Sequence, residues 1–567
     1  MTRTPTGAFV DALNAVAPPE RRRRWLFIPE DQLSDRIGPL AREPAADLGI
    51  VLIESRWKAA LRPWHRHRLA LLWANARHFA LEQARRGVAV RYIAADTPFA
   101  DALAPIAADL GPLRVMRPAE RELRRDLAPL VARGLVEELP HEGWLTEPDD
   151  FRRSQSGPPW RMDRFYRAVR RRTGILIDPD GGFTGGKLSF DTENRKPWRG
   201  SPPAPEPPTF EPDAVTREVI DLVNTRFVHH PGSVDPAALP ATVADARRLW
   251  TWARARCLPY FGPYEDAMSV RSRSLFHTRI SALVNLHRLL PRDLIDGALA
   301  ADIPLPSREG FIRQVLGWRE FVRHVHDATD GFRDLPGRPA RALPIPGDGG
   351  WSRWAGRSWR PPAGPLPDGG ALAQSLVPAD QQAPLPAAWW GGADAPSGLR
   401  CLDQVVASVW DEAWSHHITR LMILGNLATL LDVSVRDLTD WFWCAYADAW
   451  DWVVEPNVMA MATFGVGDLM TTKPYVAGAA YIDRMSDFCD GCAFSPGSTC
   501  PITPLYWAFL DRHAPRLAAN QRLRMPYASL ARRSPALRDR DRRVFLTVRG
   551  LLLDKRPVTP ADLPPPA

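Results

Sequence analysis

Short apolar runs separated by polar turns dominate the first 150 residues. WLFIP (25–29), GIVLIE (49–54), VAVRYI (88–93) and LRVMRP (113–118) have the length and β-branched content of strands buried on both faces. Between the second and third runs, RLALLWANARHFALEQARR places Leu69, Leu72, Ala76, Phe79 and Leu81 near helical spacing. Strand alternating with helix predicts a Rossmann-like parallel α/β sheet over residues 1–150. A basic stretch, RMDRFYRAVRRRTG, and a glycine-rich loop, DPDGGFTGG, follow it. KPWRGSPPAPEPPTFEPD (196–213) then closes an interdomain segment at 151–214. From 215 to 555 the pattern turns all-helical, as in LDQVVASVWDEAWSHHITRLMILGNLATLL and VRDLTDWFWCAYADAWDWVV. Residues 332–400, rich in Pro, Gly and Trp, read as an insertion, and 556–567 as a disordered tail. The expected fold class is α/β followed by all-α.

Composition narrows the function. The 57 prolines match long loops and linkers. A formal charge of +8 and a pI near 9.4 point to a polyanionic partner, with nucleic acid first. No run of eighteen apolar residues occurs and no signal-like segment opens the chain, so a soluble, cytoplasmic, monomeric protein is expected. The 22 tryptophans against 9 tyrosines are unusual, because indoles also stack on bases and carry electrons.

Six cysteines in 567 residues do not make a disulfide framework. Three of them cluster as SDFCDGCAFSPGSTCP: Cys489 and Cys492 form a C-x2-C pair, and Cys500 follows after seven residues. Cys401, opening a helix after the long insertion, is the best candidate for a fourth ligand, while Cys257 and Cys444 read as core residues. The spacing suits a structural zinc or a [4Fe–4S] cluster and does not separate them.

The flanking residues carry a resemblance. YIDRMSDFCDGC…CPITPLYW is similar to the C-terminal region of the iron–sulfur bacterial cryptochromes and photolyases, the prokaryotic (6-4) photolyase relatives. EDQLS (30–34), LSFDTENRKP (188–197), GFIRQVLGWREF (310–321), AWSHHITRLMILGN (413–426) and TKPYVA (472–477) extend the likeness over nearly the whole chain.

That resemblance implies an N-terminal antenna domain with a 6,7-dimethyl-8-ribityllumazine, then a helical domain holding FAD and a [4Fe–4S] cluster on Cys401, Cys489, Cys492 and Cys500. Thr278, Ser281, Asn285 and Arg313 would hold the flavin's phosphates and ribityl chain, and Asp448, Asp451 and Asn457 would face its ring. Asp31, Gln32 and Glu54 would contact the lumazine, with Glu30 in place of the family's glycine. His417 would donate the proton that traps the reduced lesion; His416, Tyr475 and Asp266 would orient it or the lesion. The two histidines are expected side by side on one helix. Trp441 would be the inner electron donor and Trp389 or Trp390 the outer one. Phe442 stands where the relatives carry an oxidisable Tyr, and Trp443, Trp450 and Trp452 offer other routes. Arg170, Arg171 and Arg172 with Arg271, Arg273 and Arg279 would hold phosphates of UV-damaged DNA.

Some positions depart from the family. His287 and Arg288 replace Gly-Leu, WVVEPN moves a carboxylate by one position so that Val454 stands in its place, and the Cys492–Cys500 loop is short. The first expectation is a light-driven photolyase of (6-4) photoproducts. The second is a blue-light receptor without repair activity, and the third a non-catalytic nucleic-acid-binding protein with zinc.

Overall fold

The computed structural model describes residues 2–3, 7–20, 23–336, 341–342, 347–355, 371–372, 376–377 and 381–565. Much of the expected insertion, at 337–340, 343–346, 356–370, 373–375 and 378–380, and residues 566–567 of the tail lie outside the described residues.

Five parallel strands form the N-terminal sheet: β2 (Arg24–Phe27), β3 (Leu48–Ser55), β4 (Ala89–Ala95), β5 (Leu113–Met116) and β6 (Val136–Leu139). β1 (Thr2–Arg3) adds an antiparallel edge, so the order is β1-β4-β3-β2-β5-β6. The four strands expected from the apolar runs are present, and β6 is a fifth that the pattern missed. Helices Arg66–Arg85, Phe99–Leu110 and Arg121–Ala132 make the crossovers that parallel pairing requires.

Side-chain alternation divides the domain core. Leu26, Ile50 and Leu52 pack on one face with Leu69, Leu72 and Phe79, whereas Trp25, Phe27, Val51 and Ile53 pack on the other with Leu103 and Leu127. All eight residues of β3 are buried. Gly49 has to be a glycine here, because a Cβ would lie 2.5 Å from the Trp25 ring.

The helix Arg66–Arg85 is apolar on its sheet side, yet its polar residues Arg68, Asn75, Arg77 and His78 are buried too. The reason is a second neighbour. Arg68 donates to the carbonyls of Trp443, Tyr446 and Ala449 in the helical region, and the His65 N–H donates to the Cys444 carbonyl. Helix Ala214–Arg226, just past the proline-rich stretch, packs against the same helix.

From Val243 on the described chain is helical apart from loops and the two-residue strands Arg341–Ala342 and Ala371–Leu372. Helix Arg400–Glu412 ends where Ala413 turns left-handed (φ +50°), and Ser434 caps helix Val435–Ala445 by accepting from the Asp437 N–H. Helices Ile502–Arg512 and Pro535–Leu553 pack together behind them. No helix among the described residues is long and apolar enough to cross a membrane.

Candidate active site and cysteine pocket

The turn between helix Arg400–Glu412 and the short helix His417–Thr419 builds the centre of the site. His416 is the N-cap of that helix in extended conformation (ψ 164°), so the two histidines do not sit side by side on one helix as expected. The left-handed residue at 413 breaks the preceding helix and re-aims the chain. The His416 and His417 rings lie 6.4 Å apart at 71°.

A third histidine joins them. His277 stacks on His416 with centroids 4.3 Å apart and planes at 6°, and meets His417 edge-on at 5.3 Å. Nothing in its sequence marked it. His277 Nε2 and His416 Nδ1 are buried without a hydrogen-bond partner. Burial, reinforced by the neighbouring rings, pushes His277 and His416 well below the usual histidine range, whereas His417, with 44% of its side chain exposed, is lowered less. His277 and His416 are therefore neutral at pH 7.

Carboxylates stand on the other side. Asp266 Oδ1 is 4.0 Å from His417 Nε2, and burial, with the charge of Glu265, pushes its carboxyl up to about 7. Arg313 lies between Glu265 and Asp191 at 3.4 Å from each, with Glu309 at 3.5 Å. Tyr475 is shifted upward by burial and then by the charge of Asp191, which places it at the edge of this group.

Arg420 links the histidines to the remaining expected residues. Its guanidinium grips Asp448 at 3.0 and 2.9 Å and covers the Tyr446 ring at 4.0 Å. Burial would raise Asp448, but Arg420 outweighs it and keeps the carboxylate ionised, helped by Ser281. Asn285 Nδ2 donates to the Asp448 carbonyl at 2.9 Å. Asp448, Ser281 and Asn285 thus come together, while Arg313 belongs with the carboxylates around His417. Thr278 is half-buried. Asp451 accepts from the Glu122 N–H at 3.1 Å, a link to the N-terminal domain, and Asn457 Nδ2 donates back to the Val453 carbonyl. No contact ties these three to Asp448.

In the N-terminal domain Asp31 is buried and pushed up to about 7 by burial and then by Glu120. Gln32 Nε2 donates to the Met116 carbonyl. Asp31 Oδ1, Gln32 Oε1, Glu120 Oε1 and Trp452 Nε1 have no partner. Glu54, in contrast, is engaged by Arg77 at 2.8 and 3.0 Å and by Tyr92 at 3.2 Å. Glu30 lies 3.9 Å from Lys58. His287 holds a left-handed φ of +57° where the resembling family has glycine; its ring bonds the Asp31 carbonyl at 2.6 Å and fills the space against Gly143. Arg288 forks onto Glu82 at 2.7 and 2.8 Å. The displaced carboxylate, Glu455, is a buried hub for His326, Arg333 and Arg436 at 2.9, 3.0 and 3.4 Å.

An aromatic chain runs outward from this region. Trp441 is fully buried and meets Trp390 at 6.5 Å and Trp410 at 5.8 Å, and those two stack on each other at 5.1 Å. Trp410 was not singled out in the sequence, because it lies on the solvent flank of an amphipathic helix. Beside Trp441, Phe442 stacks on Tyr446 at 5.2 Å, and Tyr446 lies 6.0 Å from Trp441.

Not every arginine expected to bind phosphate is available. Arg170 is buried and donates to the Ile175, Leu176 and Leu188 carbonyls, a structural role. Arg271 holds Asp487, while Arg273 and Arg279 hold Asp411 and Glu412. Arg171 and Arg172 are exposed.

The four expected cysteines line one apolar pocket, with Leu399, Ile482, Phe488 and Phe494 among its other walls. Cys401 is buried in the first turn of its helix; Cys257 and Cys444 are buried elsewhere, as expected of core residues. Burial raises the Cys401 thiol well above its usual range, and Cys500 to about 11. Among the described residues, no three His, Cys, Asp or Glu side chains converge on the position of a metal ion.

Comparison with known proteins gives this geometry a context. Residues 26–239 match the family model described as deoxyribodipyrimidine photo-lyase-related protein. A (6-4) photolyase from Agrobacterium fabrum is 32% identical over 530 residues, covering 90% of this chain and 95% of that protein. The crystal structure of a bacterial class III photolyase from Agrobacterium tumefaciens superposes with a TM-score of 0.52 at 14% identity, over 94% of this chain and 99% of that one, a likeness of fold. At this identity and coverage, the chain belongs to the bacterial photolyase/cryptochrome family.

Proposed function

We propose that this protein repairs (6-4) photoproducts in UV-damaged DNA under blue light. The observation that carries the reading is the cluster of His277, His416 and His417 beside Asp266, joined to the Arg420–Asp448 pair through the bond from Arg420 to the Ser415 carbonyl. It accompanies 32% identity to a protein named (6-4) photolyase.

The residues fit an FAD. Arg420–Asp448, Ser281 and Asn285 form a polar wall, and the unpartnered His416 Nδ1 and His277 Nε2 are acceptors or donors awaiting a group from outside. Asp451, Asn457, Thr278 and Arg313 complete the proposed shell. When bound, the flavin supplies the light-driven electron. The chain's own work is to bind and orient the damaged base and to hold a proton. Flipping costs least for a damaged base, which favours the lesion over intact DNA. The lesion turns anionic when reduced, and a proton delivered at once traps it. Asp266 and His417 hold that proton between them, since a carboxyl at about 7 beside a neutral imidazole is half-loaded at neutral pH. His416, locked by His277, and Tyr475 position the base. Arg171 and Arg172 are the exposed guanidiniums proposed for phosphate contact, although Arg172 is also paired with Asp150 at 2.5 Å.

The cysteine pocket is proposed to hold a [4Fe–4S] cluster on Cys401, Cys489, Cys492 and Cys500. Four thiols around a pocket but not converged on one point suit a polynuclear group better than a single tetrahedral zinc. Its place, tying helix Arg400–Glu412 to the Cys489–Cys500 loop, makes it structural. A ribityllumazine antenna is proposed beside Asp31 and Gln32, whose unpartnered oxygens fit a polar heterocycle. Glu54, held by Arg77 and Tyr92, is the third residue proposed for that site.

The test is repair of an oligonucleotide carrying one (6-4) lesion by anaerobically reduced protein under blue light. Loss of the lesion with light, and none in the dark, is the expected result. Flavin-loaded protein that binds the lesion yet never repairs it overturns the enzyme reading in favour of a photoreceptor.

A further inference from the structure

The aromatic chain ends in a cavity of about 440 Å³, within the range of small-molecule sites. Four indoles line it: Trp351, Trp354, Trp390 and Trp410. Trp351 packs against Trp354 at 5.2 Å and against Trp390 at 5.2 Å, and Trp390 stacks on Trp410 at 5.1 Å with planes 20° apart. Trp351, Trp354 and Trp410 are each only half-buried. The floor between them is Gly391 and Gly392. Gly391 has no room for a side chain, since a Cβ would lie 2.9 Å from Trp354 Nε1 and 2.2 Å from the Ala395 Cβ.

The charge around the cavity indicates what would enter. Among the described residues Asp411 is the one charged residue lining it, and it is paired with Arg273 at 2.7 Å. Arg273 also holds Glu412, which is in turn held by Arg279. Two carboxylates and two guanidiniums balance, so the rim selects for neither a cation nor an anion. The half-exposed indole surface of Trp351, Trp354 and Trp410, with glycines between, favours a flat, neutral ring. Trp390 and Trp410 are also the residues in contact with Trp441, so a ring stacked here touches the outer end of the electron relay.

We propose that this cavity binds a neutral planar aromatic hydroquinone as the relay's reductant, an inference that rests on the flavin reading above. When Trp441 has been oxidised, the electron gap moves to Trp390 or Trp410. The bound hydroquinone gives one electron to that indole radical cation, which returns to neutral indole. Its hydroxyl loses one proton to water, and the donor departs as a neutral phenoxyl radical.

The experiment uses the purified holoprotein under argon with 1,4-dihydroxynaphthalene as probe and trans-cyclohexane-1,4-diol as the non-planar control. Calorimetry in the dark is expected to give saturable binding of the probe and none of the control. Trp354→Leu, which removes a wall, and Ala407→Leu, which fills the space, should each weaken binding about tenfold, with flavin content and circular dichroism unchanged. In light, the photoreduction rate should saturate at the concentration that saturates dark binding, and become linear in concentration in both variants. Absence of saturable dark binding, or equal binding by both variants, overturns the site. Saturable binding with a photoreduction rate that stays linear overturns the reductant role. Should no donor photoreduce the wild-type flavin, the reductant role fails, the photolyase reading is judged by its own repair assay with chemically reduced protein, and the dark titration still decides the cavity.

Discussion

His417 Nε2 and Asp266 Oδ1 face each other across 4.0 Å, the carboxyl pushed up to about 7 by burial and by Glu265 while the imidazole keeps 44% of its side chain in solvent. Two such groups titrate as a pair whose shared proton is half-lost at about pH 7 and gone well above it. Together they keep a proton next to the Arg420–Asp448 pair.

Repair per absorbed photon should therefore fall as the pH rises through about 7, where Asp266 loses its proton. His417→Ala should bind the lesion in the dark yet lose ~10²–10⁴-fold in quantum yield. Asp266→Asn should flatten the pH profile around 7 while leaving dark binding intact. An unchanged yield in His417→Ala, or a wild-type profile that rises through 7, would refute the pair.

Cys401→Ala should remove iron and the broad absorption beneath the flavin bands, and lower the recovery of folded protein. Iron, sulfide and zinc are measured on wild type and variant. Stoichiometric zinc with no iron in the wild type would replace the cluster by a single ion.

What could be read from the chain follows from how local each signal is. β3 and β4 announce themselves because both faces are covered, so their apolar runs are unbroken. β6 is VEEL at a sheet edge, with Glu137 and Glu138 in solvent, and carries no such run. The C-x2-C-x7-C spacing was visible locally, but Cys401 lies 88 positions before Cys489 and only tertiary packing brings it to the same pocket. His277 and Trp410 were missed for a similar reason: each is one ring in an ordinary helix or turn, and its meaning is its neighbour. Resemblance assigned Ser281, Asn285 and Asp448 to different parts of one flavin, and the fold brings those three side chains together. It could not foresee that Asp451 reaches across to Glu122, or that the shifted Glu455 becomes a hub for Arg333, Arg436 and His326.

That hub yields a stability prediction. Burial alone would raise the Glu455 carboxyl, but Arg333, His326 and Arg436 outweigh it and hold it well below the usual range. A carboxylate lowered in the folded state stabilises the fold above its unfolded value of ~4.3 and stops doing so as the pH falls. Glu455→Gln removes the anion that Arg333 and Arg436 share, with Arg436 still held by Asp440, and should cost ~3 kcal/mol. Urea denaturation at pH 7 measures the loss, and the gap between variant and wild type should hold down to about pH 5 and narrow as the pH falls below about 4. A gap that widens on acidification would mean that Glu455 is not the group being titrated.

The relay around Trp441 makes the last prediction, and its branching gives the prediction a shape. Trp441 touches Trp390 and Trp410 separately, at 6.5 and 5.8 Å, and those two touch each other. Phe442, which cannot be readily oxidised, lies beside Trp441 at 5.1 Å and is bypassed by this arrangement. Trp390→Phe alone should slow flavin photoreduction only modestly, because Trp410 keeps a path open. Trp410→Phe should behave alike. The double variant should be far slower than the product of the two single effects, since both exits are then closed. Trp441→Phe should stop photoreduction nearly completely while leaving repair by chemically reduced protein intact, because electrons enter by this route only when the flavin starts oxidised. Rates are read from the decay of oxidised flavin absorbance at equal flavin loading. Strict multiplicativity in the double variant would mean the two indoles act in series, and wild-type photoreduction in Trp441→Phe would move the inner donor to Tyr446, 6.0 Å away and stacked on Phe442.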